Sequence, residues 1–180
     1  MIYSRTPTST AAALALDTVK DHLRIDHGFD DLALSLMISA TVQDFENQCD
    51  IALLPTLIKA RSDINPGTDL ALPVGPVAES ASITVQALAE DGALSTITSY
   101  WLEDGRWPVL HLTDTPAHRV RVSYQAALAT TPAGIPADIL MALADQVARL
   151  YVQRGGIDDK APALSAHMAR VIARYRRPTL

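Results

Sequence analysis

Two periods of apolar residues alternate along the chain, and each change of period marks an element. Leu16, Val19 and Leu23 fall at i, i+3 and i+7, which predicts a first helix over about 15–25. Asp26-His27-Gly28-Phe29-Asp30-Asp31 interrupts that stripe. Gly28 supports a turn there, and the carboxylate of Asp30 or Asp31 is suited to capping the next helix. Leu34, Met37, Ile38, Thr41, Val42 and Phe45 then form a wide apolar face on that second helix, which runs to about Cys49. The short connection makes the two helices antiparallel neighbours.

Pro55 changes the period to two. Leu57-Ile58-Lys59-Ala60-Arg61 alternates, with Lys59 and Arg61 on one side. Asn65-Pro66-Gly67 is a turn signal, and Glu90-Asp91-Gly92 a hairpin signal. Leu72-Pro73-Val74-Gly75-Pro76-Val77 holds too much proline for a central strand and predicts an edge or an ordered loop. Ser82 to Ala87, Tyr100 to Leu102 and Val109 to Leu112 read as strands. Arg119-Val120-Arg121-Val122-Ser123-Tyr124 is the clearest, with Val120, Val122 and Tyr124 inward and the arginines outward.

Helical spacing returns at Ile135, where Pro136 suits a first turn. Leu140, Leu143, Val147, Leu150 and Tyr151 make a stripe that stops at Gly155-Gly156. A last helix is expected from near Pro162, with Leu164, Met168, Val171, Ile172 and Tyr175 on one face and Pro178 as a stop. The predicted class is α+β: a four-helix body, two helices N-terminal and two C-terminal, with an inserted small antiparallel β lobe. The expected division is a flexible leader at 1–13, a helical body at 14–54 and 132–180, and a β-rich insertion at 55–131.

Composition narrows the function. The chain has 180 residues, 48% of them apolar, enough for a real core and too apolar for general disorder. Charge or proline breaks every apolar stretch well short of the ~20 residues that span a bilayer. The opening Met1-to-Asp17 segment lacks the apolar run of a signal peptide, so export is not expected. Cys49 is the single cysteine and sits at a core-compatible helical position. A net charge of −5 argues against sequence-independent wrapping of nucleic acid. The charge is uneven: from residue 161 onward there are Arg170, Arg174, Arg176 and Arg177 and no acid. That basic end is either a solvated helix terminus or a docking tail for an acidic partner.

Reactive chemistry is hard to find. His22, Asp26, His27, Asp30 and Asp31 cluster, but their spacing matches no zinc pattern, so no metal or other cofactor is expected. Glu90, Asp91, Glu103 and Asp104 fall in expected turns, where a turn role is simpler than a catalytic pair. There is no nucleophile elbow, phosphate loop or dinucleotide fingerprint. Trp101 and Trp107 flank a turn, as core, as interface or as a ligand platform.

Three segments carry a resemblance. They are His22-Leu23-Arg24-Ile25-Asp26 followed by Asp30-Asp31-Leu32 and an apolar helix, then Leu72-Pro73-Val74-Gly75-Pro76-Val77, then the last helix running into Tyr175-Arg176-Arg177. In this order and spacing the chain resembles the small head–tail connector (adaptor) proteins of long-tailed bacteriophages and phage-like particles. It departs from them in its longer leader and its Pro-Thr-Leu end. The resemblance implies a structural protein of the virion's head–tail joint, made in the bacterial cytoplasm, and not an enzyme. It implies a dodecameric ring of this chain beneath the portal protein. The ring would meet a tail-side connector or tail terminator protein below and continue the channel through which DNA leaves without sequence-specific binding. No membrane is involved. On this reading Arg170, Arg174, Tyr175, Arg176 and Arg177 are expected to dock on the portal, and Trp101 and Trp107 to lie between subunits. The alternative from another class is a small binding module using the β lobe as a ligand platform.

Overall fold

The computed structural model describes residues 1–63, 69–78, 83–89, 91–113, 119–154 and 164–178. The fold is α+β and divides into two units, Met1–Thr10 with Asp50–Thr130, and Ala11–Cys49 with Thr131–Leu180. The turn expected at Asn65-Pro66-Gly67, the start of the strand at Ser82, Glu90, the stop at Gly155-Gly156 and the start at Pro162 lie outside the described residues.

The first unit is built from two antiparallel sheets. One has the order β1 (Ile2–Pro7), β2 (Thr56–Asp63), β8 (Arg119–Ala126), β4 (Thr84–Leu88), β5 (Leu94–Ile97), and the other β3 (Asp69–Ala71), β7 (Val109–Leu112), β6 (Tyr100–Glu103). Their inner faces share one core. Ile58, Ala60, Val85, Ala87, Val120, Val122 and Tyr124 come from the larger sheet, and Leu70, Leu110 and Leu112 from the smaller. Each is an alternate residue of its strand, so the intervening residues of both sheets must point away from that core. The Tyr124 hydroxyl donates to the Val74 carbonyl at 2.7 Å and accepts from the Val74 N–H at 3.2 Å.

The leader departs from expectation. Residues 2–7 are not loose: they form β1, paired with β2 from Ile2↔Arg61 to Pro7↔Thr56. The Arg5 guanidinium donates to the Ile51 carbonyl. All but one of the strand's residues are exposed, so its own sequence carries no buried alternation; the ladder to β2 is what orders it.

The second unit holds α1 (Leu16–Leu23), α2 (Asp31–Cys49), α3 (Ala137–Gln153) and α4 (Ala166–Tyr175), with a 3-10 turn at Pro132–Gly134. Its core takes Val19, Leu34, Ile38, Phe45 and Cys49 from the first pair and Ile139, Leu143, Val147, Met168, Val171, Ile172 and Tyr175 from the second. The last helix begins at Ala166, capped by the Ser165 hydroxyl accepting from the Met168 N–H at 3.0 Å. Among the described residues no helix is long and apolar enough to cross a membrane.

Candidate assembly interface

The motif His22-Leu23-Arg24-Ile25 ends a helix. Arg24 adopts the left-handed conformation (φ 58°, ψ 44°), its N–H bonding Asp21 at 3.2 Å while the Ile25 N–H bonds Lys20 at 2.9 Å. These two bonds form the Schellman closure, made here without the usual glycine. The His22 Nε2 lies 3.1 Å from the Asp145 carboxylate, which the His167 Nδ1 also reaches at 2.7 Å, so α1 and α4 both fasten to α3. Leu23 is half-buried and Asp26 exposed.

Neither Asp30 nor Asp31 caps α2 through its carboxylate, as the sequence suggested. Lys20 holds Asp31 at 2.8 Å, Tyr151 donates to Asp30 at 2.6 Å, and Arg154 pairs with Asp30 at 3.0 Å. The stronger donors win because they bring charge or a partly buried hydroxyl that needs a partner. Hydrogen bonding from Tyr151, opposed by burial and aided by Arg154, holds the Asp30 carboxyl below its ordinary range, and the same bond pushes the Tyr151 phenol up. The histidines and acids of this segment are thereby drawn to separate partners. No group of three or more His, Cys, Asp or Glu among the described residues is placed to hold a metal ion.

Leu72 to Val77 is an ordered crossing. Leu72 and Val74 are core, Pro73 and Pro76 are half-buried, and Gly75 forms a parallel bridge to Ile51. A Cβ at Gly75 would fall on the Arg106 carbonyl oxygen and come 2.7 Å from Pro108 Cδ, so the segment passes its neighbour backbone to backbone. The Gly75–Pro76 peptide is cis.

The C-terminal residues do not act as one group. Tyr175 is only 8% exposed, edge-on to Phe45 at 6.3 Å, with its hydroxyl 3.3 Å from Asp138. It is a core side chain, because helical spacing puts it on the same buried stripe as Met168, Val171 and Ile172. Arg174 pairs with Asp138 at 2.8 Å. Arg170 and Arg176 are exposed, and Arg177 half-exposed.

The two tryptophans also separate. Trp107 is half-buried, and its Nε1 finds no acceptor among the described residues. Trp101 is 52% exposed and stacks flat on His111, with ring centroids 3.8 Å apart and planes 10° apart. His111 is bracketed by Asp69 at 2.6 Å and Glu103 at 3.2 Å. Burial works against the imidazolium, but these two carboxylates outweigh it and raise the His111 pKa above its ordinary value. Residues 69, 111 and 101 are register partners across β3, β7 and β6. No spacing in the sequence announces that trio; only the strand pairing does. Phe29 in the turn before α2 and Leu32 and Leu36 on α2 also leave apolar surface in water, 94%, 77% and 64% exposed.

Of the expected turn carboxylates, Asp91 and Asp104 behave as turn residues, whereas Glu103 ends strand β6, where the register sets it beside His111. Asp91 accepts from the Ala93 N–H at 2.9 Å and Asp104 from the Gly105 N–H at 2.7 Å. The groove between Pro76–Ala78, Asp104–Gly105 and Ala127–Thr130 has about 450 Å³, and among the described residues Asp104 is its one ionisable side chain.

The class these features define is an α+β protein of two joined units, a four-helix body and a two-sheet β lobe, with polar and aromatic groups on outer faces. The same fold occurs in a chain described as the neck of an empty GTA particle computed with C6 symmetry: TM-score 0.82, 21% identity, 100% of this chain and 97% of that one covered. It also occurs in a chain from the virion of a native gene transfer agent (GTA) particle, at TM-score 0.77 and 21% identity, and in one from the neck of a native GTA particle computed with C12 symmetry, at 0.78 and 20%, with the same coverages. No family model matches the chain, and no curated protein matches it in sequence.

Proposed function

We propose that this chain is a structural head–tail connector subunit of a phage-like particle. It forms a ring beneath the portal, links the DNA-filled head to the tail-side neck or tail terminator protein, and continues the DNA channel. The observation that carries this reading is the match of fold over the whole chain to components of gene transfer agent necks and virions, two of them computed with C6 and C12 symmetry. The distribution of groups supports it. Exposed aromatic and aliphatic side chains lie on outer faces of both units, suited to mating with flat protein surfaces. A subunit of charge −5 repeated around a ring makes an acidic conduit that does not retain phosphate.

Arg170, Arg174, Arg176 and Arg177 are the proposed portal-docking group, as cations suited to carboxylates of a partner. Removing residues 170–180 is the wrong test, since it would strip Val171, Ile172 and Tyr175 from the core. Arg170→Glu with Arg176→Glu keeps the core and reverses the exposed charge. Negative-stain imaging of the full chain mixed with purified portal should show a ring on the portal vertex, lost in that variant. Wild type that leaves the portal bare would overturn the connector reading, and a decorated portal with the variant would overturn the docking group. A second reading, a small-ligand platform, is favoured by the Trp101–His111 stack alone, and predicts saturable binding of a ligand by the monomer.

A further inference from the structure

The β unit carries opposite charge on its two outer faces. On the five-stranded sheet, Lys59 and Arg61 of β2 and Arg119 and Arg121 of β8 point away from the core, against one acid, Asp63, which Arg119 holds at 2.7 Å. Arg61 and Arg121 are direct cross-strand partners, a like-charge pair that is unfavourable until an anion covers it. Neither guanidinium has a hydrogen-bond or ion-pair partner among the described residues. On the three-stranded sheet the outer face presents Trp101, Asp69 and Glu103 around His111, with no lysine or arginine on its strands. Because the inner faces share one core, these two surfaces lie on opposite sides of the unit. Beside Arg61 is an open groove of about 320 Å³, walled by Met1, Ile2 and Leu88, with Arg61, Ser62 and the Arg119–Asp63 ion pair at its rim. Apolar walls with cations at the rim suit an indole, since an arginine over a tryptophan face is the favoured cation–π pair.

We propose that copies of this chain associate head to tail through the β unit: the Trp101–Asp69–Glu103 face of one copy covers the Arg61–Arg121 face of the next, with Trp101 seated in the groove between Ile2 and Leu88. The occupant is a second copy of the chain because the complement to each face is on the same molecule. Two different patches that fit each other give a heterologous contact, the kind that closes into a ring. A duplex DNA on the basic face is the competing occupant. It is disfavoured by the net charge of −5 and leaves the acidic tryptophan face without a role.

This rests on the connector reading only in requiring self-assembly, and a charge swap separates the two. The full chain is made as Arg61→Glu/Arg121→Glu and as Asp69→Lys/Glu103→Lys, and association is followed by sedimentation velocity over rising concentration. Each variant alone should associate at least about tenfold more weakly than wild type, and an equimolar mixture should recover, since each offers the face the other lacks. Trp101→Ala, at an exposed site, should keep the circular dichroism of wild type and lose about tenfold in association. Association unchanged in Trp101→Ala or in either charge variant overturns the proposal. So does a mixture that stays apart, a wild type that never associates, or an arginine variant altered only in binding duplex DNA. Rings that form normally on the portal with all three variants leave the connector reading standing and remove this surface from it.

Discussion

Of the glycines at 28, 75, 92 and 105, Gly75 has the least room for a side chain, and Gly75→Ala measures that. The added Cβ would meet the Arg106 carbonyl oxygen and the Pro108 ring at 2.7 Å, neither of which is the free end of a flexible side chain. Relief requires the two backbones to part, which costs about 1–3 kcal/mol as overpacking. Parting them also strains two hydrogen bonds, Gly75 N–H to Asp50 O and Ala52 N–H to Gly75 O, each 3.1 Å and each worth about 1 kcal/mol. The expected loss is roughly 3–5 kcal/mol, a large share of a stability of about 5–15 kcal/mol. At about 2–4 °C per kcal/mol for a chain of this size, the thermal midpoint should fall by roughly 6–20 °C. Gly92→Ala is the internal control. Nothing lies within 4 Å of a Cβ there, but φ is +86°, so only backbone strain of about 1–2 kcal/mol is expected. Thermal unfolding by circular dichroism compares the two. A Gly75→Ala protein that melts within about 2 °C of wild type, or no lower than Gly92→Ala, would refute the close-approach argument.

Other substitutions probe the remaining features. Thr41 is 3% exposed and its hydroxyl has no partner among the described residues, so Thr41→Val should stabilise by about 1 kcal/mol in urea unfolding; destabilisation would mean the hydroxyl is bonded. Arg24→Gly relieves the left-handed residue closing α1 and should add roughly 0.5–1 kcal/mol, where a loss would show that the arginine side chain contributes more than the strain. Tyr124→Phe leaves the buried Val74 N–H and carbonyl without the hydroxyl and should cost about 1–3 kcal/mol; an unchanged midpoint contradicts the bond. His111 has a raised pKa, so its contribution is fully present below its unfolded value of 6.5 and is lost as pH rises through the folded value. Wild type should therefore melt higher near pH 6 than near pH 8, and His111→Gln should flatten that difference; an equal difference in both proteins would remove His111 from the account.

Much of the architecture was legible because burial imposes a period. The stripes around Leu34 and Phe45, Leu143 and Val147, and Met168 and Tyr175 each mark a helix, and Val120, Val122 and Tyr124 mark the central strand. The Leu72–Val77 segment was legible as an edge or an ordered loop, and it is a loop with two isolated bridges, since its prolines cannot donate to a ladder. The strand at residues 2–7 was not, because its residues are nearly all exposed and only the partner ladder makes it a strand. The burial of Tyr175 was not legible either, because an aromatic before two arginines looks the same in sequence whether it faces outward or packs on Phe45.

The sequence by itself determined the helices and the strands that bury one face, and that no reactive constellation is spelled out along the chain, because both depend on short-range spacing. The tertiary structure alone decided that Asp69, His111 and Trp101 converge, that Arg61 faces Arg121, and that their two sheets turn opposite charge outward. Strand register is a long-range property: residues 60 positions apart become neighbours only when the core they bury between them has been formed.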